Sequence, residues 1–148
     1  MSSASKTCQG HYDFIDHPAD IVVRAHGATL EKAFATAATA MFDILTGCSP
    51  ITGRQKVEFD VQGIDRENLL VSFLSHLIAI HEIERLVLTD FVVAFKGDEL
   101  LKATGWGEPF DDTRHGGGIQ VKAVSYHMIE IMDGRLKGTS HVQVLFDV

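Results

Sequence analysis

Positive charge is scarce in this 148-residue chain: 13 Lys and Arg stand against 20 Asp and Glu, a formal net charge of −7. Gripping nucleic acid through phosphates needs clustered Lys and Arg, so strong direct nucleic-acid binding is not expected. A basic protein partner or a metal cation suits such a surface better. Cysteine is nearly absent. Cys8 and Cys48 match no metal spacing and read as free thiols of a reducing compartment. Apolar runs fall far short of a bilayer crossing, and the opening MSSASKTCQG lacks the apolar stretch of a secretory signal. The expected location is therefore cytoplasmic, or nuclear in a eukaryote, with no membrane association. Walker loops, dinucleotide fingerprints, CxxC pairs, HExxH motifs and nucleophile elbows are missing too, so no catalytic residue is assigned. The eight histidines fit no zinc module by spacing.

What is present is ordinary globular material, 45% hydrophobic and 22% charged, sufficient for one domain with a sizeable core. Residues 1–10 read as a disordered polar tail and 11–148 as the domain. Tyr12 to Ile15 reads as a short strand, followed by a turn at Asp16-His17-Pro18-Ala19-Asp20 and an alternating strand from Ile21 to His26. Thr29 caps a helix in which Leu30, Ala33, Phe34, Ala37, Ala38, Met41, Phe42 and Leu45 follow helical spacing until Gly47. Lys56 to Gln62 alternates as a strand with one wet face. Asp65 caps a second helix ending near Arg85, with His81 inside its apolar stripe and His76 at the edge. Both histidines read as structural before anything else. Leu86 to Phe95 and Leu100 to Trp106 form a hairpin turned by Gly97-Asp98. Two more strands follow, Val121 to Ile131 and His141 to Val148. The class is α+β: two helices on a mainly antiparallel (mixed) sheet, in two layers and a single domain.

Between Trp106 and Val121 lies a loop with Glu108, Asp111, Asp112, Arg114 and His115, then Gly116-Gly117-Gly118. Consecutive glycines lose much backbone freedom on folding, so they suit a loop that moves or accepts a partner. In the following strand, alternation puts His127 with Ala123, Ser125, Ile129 and Ile131 on a mostly apolar face, where its ring needs hydrogen bonds. Oxygen donors gather at strand ends: Asp20, Asp147 and the terminal carboxylate of Val148. Hard divalent cations need several such oxygens. Spacing alone pairs none of them.

HPAD at His17 to Asp20, RAHGATLEKAF at Arg24 to Phe34, LLVSFLSHLIAIHEIERLV, WGEPFD at Trp106 to Asp111, VKAVSYH at Val121 to His127 and the closing FDV together resemble the archease family. The resemblance spans all but the first ten or so residues. Archeases activate the tRNA-splicing ligase, a metal- and GTP-dependent enzyme that guanylylates itself and joins RNA ends. They promote its guanylylation and multiple turnover and are not ligases themselves. The resemblance implies that Asp20 and Asp147 hold a divalent cation, magnesium or calcium with manganese as a third option, and that the ligase is the protein partner. Val148 is a candidate further ligand, while Glu108, Asp111, His115, Lys122 and His127 are candidate partner or auxiliary residues. The chain departs from the family at Pro18, where threonine is usual; at His76, where an acid is common; at Arg85, where glycine usually follows; and in its bare triple glycine. A small metal-dependent hydrolase, with His127 as base, is the alternative.

Overall fold

The structure is a computed structural model that describes residues 12–17 and 20–148. The expected polar tail lies outside the described residues, as does Pro18. The order is β1 (Tyr12–His17), β2 (Asp20–Gly27), α1 (Leu30–Thr46), β3 (Gln55–Gln62), α2 (Arg66–Glu84), β4 (Leu86–Lys96), β5 (Leu100–Pro109), α3 (Asp112–His115), β6 (Ala123–Met132) and β7 (Ser140–Asp147). The α+β expectation holds, with a refinement. The strands divide into two sheets, β1-β2-β7-β6 and β3-β5-β4, and every described pairing is antiparallel.

Local chemistry sets the helix ends. Thr29 Oγ1 accepts from the Lys32 amide at 3.2 Å and Asp65 Oδ1 from the Asn68 amide at 2.8 Å, each satisfying an amide that the first turn leaves unpaired. Gly47 closes α1 in the left-handed region at φ 64. Arg85 closes α2 there too, at φ 57, a conformation that glycine adopts at less cost. Its guanidinium lies 5.2 Å from the Phe110 ring centre.

Burial on α1 goes beyond a single stripe: Ala40, Asp43, Ile44 and Thr46 are covered as well. The reason is tertiary, since α1 packs on β4 of one sheet and on β2 and β7 of the other. Inside this core the Tyr12 hydroxyl donates to Asp43 Oδ2, fastening β1 to α1. Burial pushes the Asp43 carboxyl above its ordinary value, and the Tyr12 hydroxyl opposes that rise. Cys48, expected as a free thiol, is disulfide-bonded; sequence spacing carries no information on such pairing across a fold.

The long strand after the glycines also departs from simple alternation. Ser125 opposes Leu145 and Glu130 opposes Gln143, so the four residues Tyr126 to Ile129 face Val144 alone. An odd surplus of three exchanges the two faces of β6 across the bulge. Val124, Ile129 and Ile131 can then all pack on the core despite their mixed parity. Met128 takes φ 64, and its carbonyl accepts from Gln143 Nε2 at 2.8 Å. His127 sits in this bulge and is exposed, not on an apolar face; its amide donates to Ser125 Oγ at 2.9 Å.

Candidate metal centre at the end of the β2–β7 ladder

On β2 and β7, Val23, Ala25, Val142, Val144 and Phe146 belong to the core. Period two therefore puts Asp20, Val22, Arg24 and His26, with His141, Gln143, Leu145 and Asp147, on the outer face. Asp20 and Asp147 are direct cross-strand partners at the last rung. Such partners share a face with Cβ atoms about 4.5–5.5 Å apart, where two like charges repel. A cation bridging them would remove that repulsion. Asp20 is half-buried and Asp147 exposed. On the flanking strands His17 holds the register position beside Asp20, and Ala123 the one beside Asp147.

The rung is anchored. The Lys122 amide donates to the Asp147 carbonyl at 2.7 Å, while the adjoining Val148 side chain packs against the core. The donor set is all oxygen, which fits a hard cation such as Mg²⁺ or Ca²⁺. Among the described residues no three His, Cys, Asp or Glu side chains already converge on one ion position. Further oxygen donors, such as water, would have to complete the shell.

The other sequence candidates lie elsewhere. Glu108 is only 7% exposed and His115 is fully buried. Arg114 Nη1 and Nη2 donate to Glu108 Oε1 and Oε2 at 2.7 and 2.9 Å, and the Thr52 amide to Oε2 at 2.7 Å. The Asp111 amide donates to His115 Nδ1 at 3.0 Å; that nitrogen is thus the acceptor, leaving the Nε2 hydrogen for Glu108 Oε2 at 3.2 Å. The Arg114 guanidinium foremost, then the Thr52 amide and the His115 ring, outweigh burial and hold the Glu108 carboxyl at about 2, below its ordinary 4.5. Asp111 caps the short α3, and the Thr113 hydroxyl and amide keep its carboxyl below the ordinary value. Asp111, Lys122 and His127 are exposed; Glu108 and His115 face inward.

The triple glycine is likewise not a free loop. A Cβ on Gly118 would stand 2.2 Å from the Ile44 carbonyl oxygen and 2.4 Å from that of Leu45, and the Ile119 amide donates to the Ile44 carbonyl at 3.0 Å. The segment docks backbone to backbone on the C-terminal turn of α1 and satisfies a carbonyl left open there. Sequence reasoning missed this, and it missed the roles of Thr52 and Arg114 as well. Their distance along the chain from α1 and Glu108 follows no period.

Comparison with known proteins places the fold. A profile of the Archease protein family matches residues 12–148. The chain belongs to the archease family. The Pyrococcus furiosus protein archease is 38% identical over 130 residues, 84% of this chain and 92% of that protein. Aeropyrum pernix protein archease is 38% identical over 137 residues, 90% and 94% of the two chains. The solution structure of Methanobacterium thermoautotrophicum protein 1598 superposes with TM-score 0.71 at 31% identity, covering 93% of this chain and 99% of that one. A Thermotoga maritima structure described as an archease, possible chaperone, shares the fold with TM-score 0.56 at 19% identity, over 90% and 94% of the chains. No helix among the described residues is long and apolar enough to cross a membrane.

Proposed function

We propose that this archease-family chain is a cytoplasmic, non-catalytic activator of the metal- and GTP-dependent tRNA-splicing RNA ligase, promoting its guanylylation and multiple turnover, with a divalent cation bound between Asp20 and Asp147. The observation that carries the reading is the in-register aspartate pair on the last rung of β2 and β7, in a chain with a net charge of −7 and no enzyme signature. When bound, a divalent cation neutralises the pair and offers open positions to oxygen donors. Asp20 and Asp147 hold it at the edge of the fold, where a protein partner can reach it; Lys122 and Val148 keep the rung in place; exposed Asp111, Lys122 and His127 are the auxiliary contacts. The hydrolase alternative has less support, because among the described residues the clefts of about 440, 400, 370 and 350 Å³ are lined by residues other than the pair and His127.

The test is a multiple-turnover ligation time course with the cognate ligase, with and without this chain. Stimulation by the parent and its loss in Asp20→Ala and Asp147→Ala are the expected results. Undiminished stimulation by both variants would make the carboxylates incidental, and no stimulation by the parent would remove the ligase assignment.

A further inference from the structure

The eight histidines fit no zinc spacing, yet the fold brings two of them together where the sequence keeps them 115 residues apart. His26 on β2 and His141 on β7 are direct cross-strand partners. Their ring centres are 6.0 Å apart and the planes are inclined at 56°. Each ring also has its own carboxylate from an outer strand: His26 Nε2 lies 3.6 Å from Asp13 Oδ2 on β1, and His141 Nε2 lies 3.4 Å from Glu130 Oε1 on β6. The Glu130 contact is within hydrogen-bond reach and the Asp13 contact within ion-pair distance. A carboxylate beside one ring nitrogen is how a metal-ligating imidazole is oriented with its other nitrogen toward an ion.

We infer that His26 and His141 form a second cation site on the outer face of the first sheet, at the end opposite Asp20 and Asp147, selective for a zinc-class transition cation. Each imidazole binds through Nδ1 while Asp13 and Glu130 hold Nε2. Two imidazoles on one tetrahedral ion, with metal–nitrogen distances of about 2.0–2.1 Å, place their ring centres about 5 Å apart. The 6.0 Å separation closes to that by side-chain rotation. The local charge suits a cation: Arg24, 3.8 Å from Glu130 and hydrogen-bonded to Gln143 at 2.7 Å, offsets one of the two carboxylates and leaves one net negative charge. No third His, Cys, Asp or Glu converges on the ion among the described residues, so water fills the rest of the shell. The site is open to solvent, with the His26 and His141 side chains 48% and 26% exposed. Nitrogen donors favour Zn²⁺, Ni²⁺ and Cu²⁺ over Mg²⁺ and Ca²⁺, so its selectivity is opposite to that of the all-oxygen aspartate pair. It does not depend on the ligase reading.

The experiment uses tag-free full-length chain carrying Asp20→Asn and Asp147→Asn, so that the oxygen pair contributes nothing. Zn²⁺ titration by calorimetry is expected to show one saturable site that millimolar Mg²⁺ does not compete away. His26→Ala or His141→Ala lowers the affinity at least about 10-fold, and Asp13→Asn or Glu130→Gln lowers it about 10- to 100-fold by releasing the ring that each orients. Electron paramagnetic resonance of the Cu²⁺ form reads two coupled nitrogens in the parent and one in each histidine variant. Far-ultraviolet circular dichroism confirms that the variants fold. Absence of saturable Zn²⁺ uptake, unchanged affinity in either histidine variant, or a Cu²⁺ spectrum without two nitrogens would each overturn the assignment.

Discussion

Asp20 and Asp147 sit face to face on the last rung of the β2–β7 ladder, two carboxylates separated by most of the chain yet held on one side of one sheet. Opposed like charges lower stability unless something bridges them, by about 0.2–1 kcal/mol for a cross-strand pair. Asp147→Asn should therefore leave the metal-free protein as stable as the parent or slightly more so, and should abolish the rise in melting temperature that Mg²⁺ or Ca²⁺ gives the parent. Thermal melts in chelator and in millimolar metal measure both. Equal metal-induced shifts in parent and variant would remove the pair as the cation site.

Glu108 predicts an acid limb. Its folded carboxyl lies at about 2 and the ordinary value is 4.5, so its stabilising contribution is complete above about 4.5 and disappears as pH falls from there toward 2. Glu108→Gln should lower stability at pH 7 by about 2 kcal/mol, because Arg114 and Thr52 lose a charged acceptor. It should also flatten the dependence of stability on pH between 4.5 and 2. Urea midpoints across that range decide it; parallel curves for parent and variant would contradict the assignment.

Gly118 is predicted to tolerate no side chain. With carbonyl oxygens of α1 at 2.2 and 2.4 Å from the place its Cβ would occupy, Gly118→Ala must lift the segment from the helix end, costing about 2–4 kcal/mol. Gly117→Ala, whose Cβ would find only the Thr46 carbonyl oxygen at 3.8 Å, should change far less. Equal melting temperatures for the two variants would show that the docking is dispensable.

Tyr12→Phe deletes the hydroxyl that donates to buried Asp43, an expected loss of about 1–3 kcal/mol at neutral pH. Burial already raises the Asp43 carboxyl, and without the hydroxyl it rises further. A group whose folded value is raised weakens the fold when ionised and ceases to do so once protonated. The deficit of the variant should therefore shrink as the pH is lowered toward the ordinary carboxylate range. A deficit independent of pH would show that the hydroxyl acts through packing alone.

Periodicity, caps and turn residues act within a few residues of themselves, and they determined the elements: Thr29 and Asp65 as N-caps, Gly47 as the close of α1, and the α+β class. Nonlocal consequences were legible only where a family likeness supplied them, as for Asp20 with Asp147. The sequence marked Gly116 to Gly118 as unusual but assigned the wrong cause, since bare backbone serves close docking as well as motion. Alternation likewise failed along β6, because the need for Val124 and Ile131 to share one core is met by a bulge that no count along the strand contains. The tertiary structure alone decided that α1 is covered by two sheets, that Glu108 collects Arg114, Thr52 and His115, and that His26 meets His141. Each is a pairing across strands or layers, set by register and packing, and register is a property of two segments that neither one carries by itself.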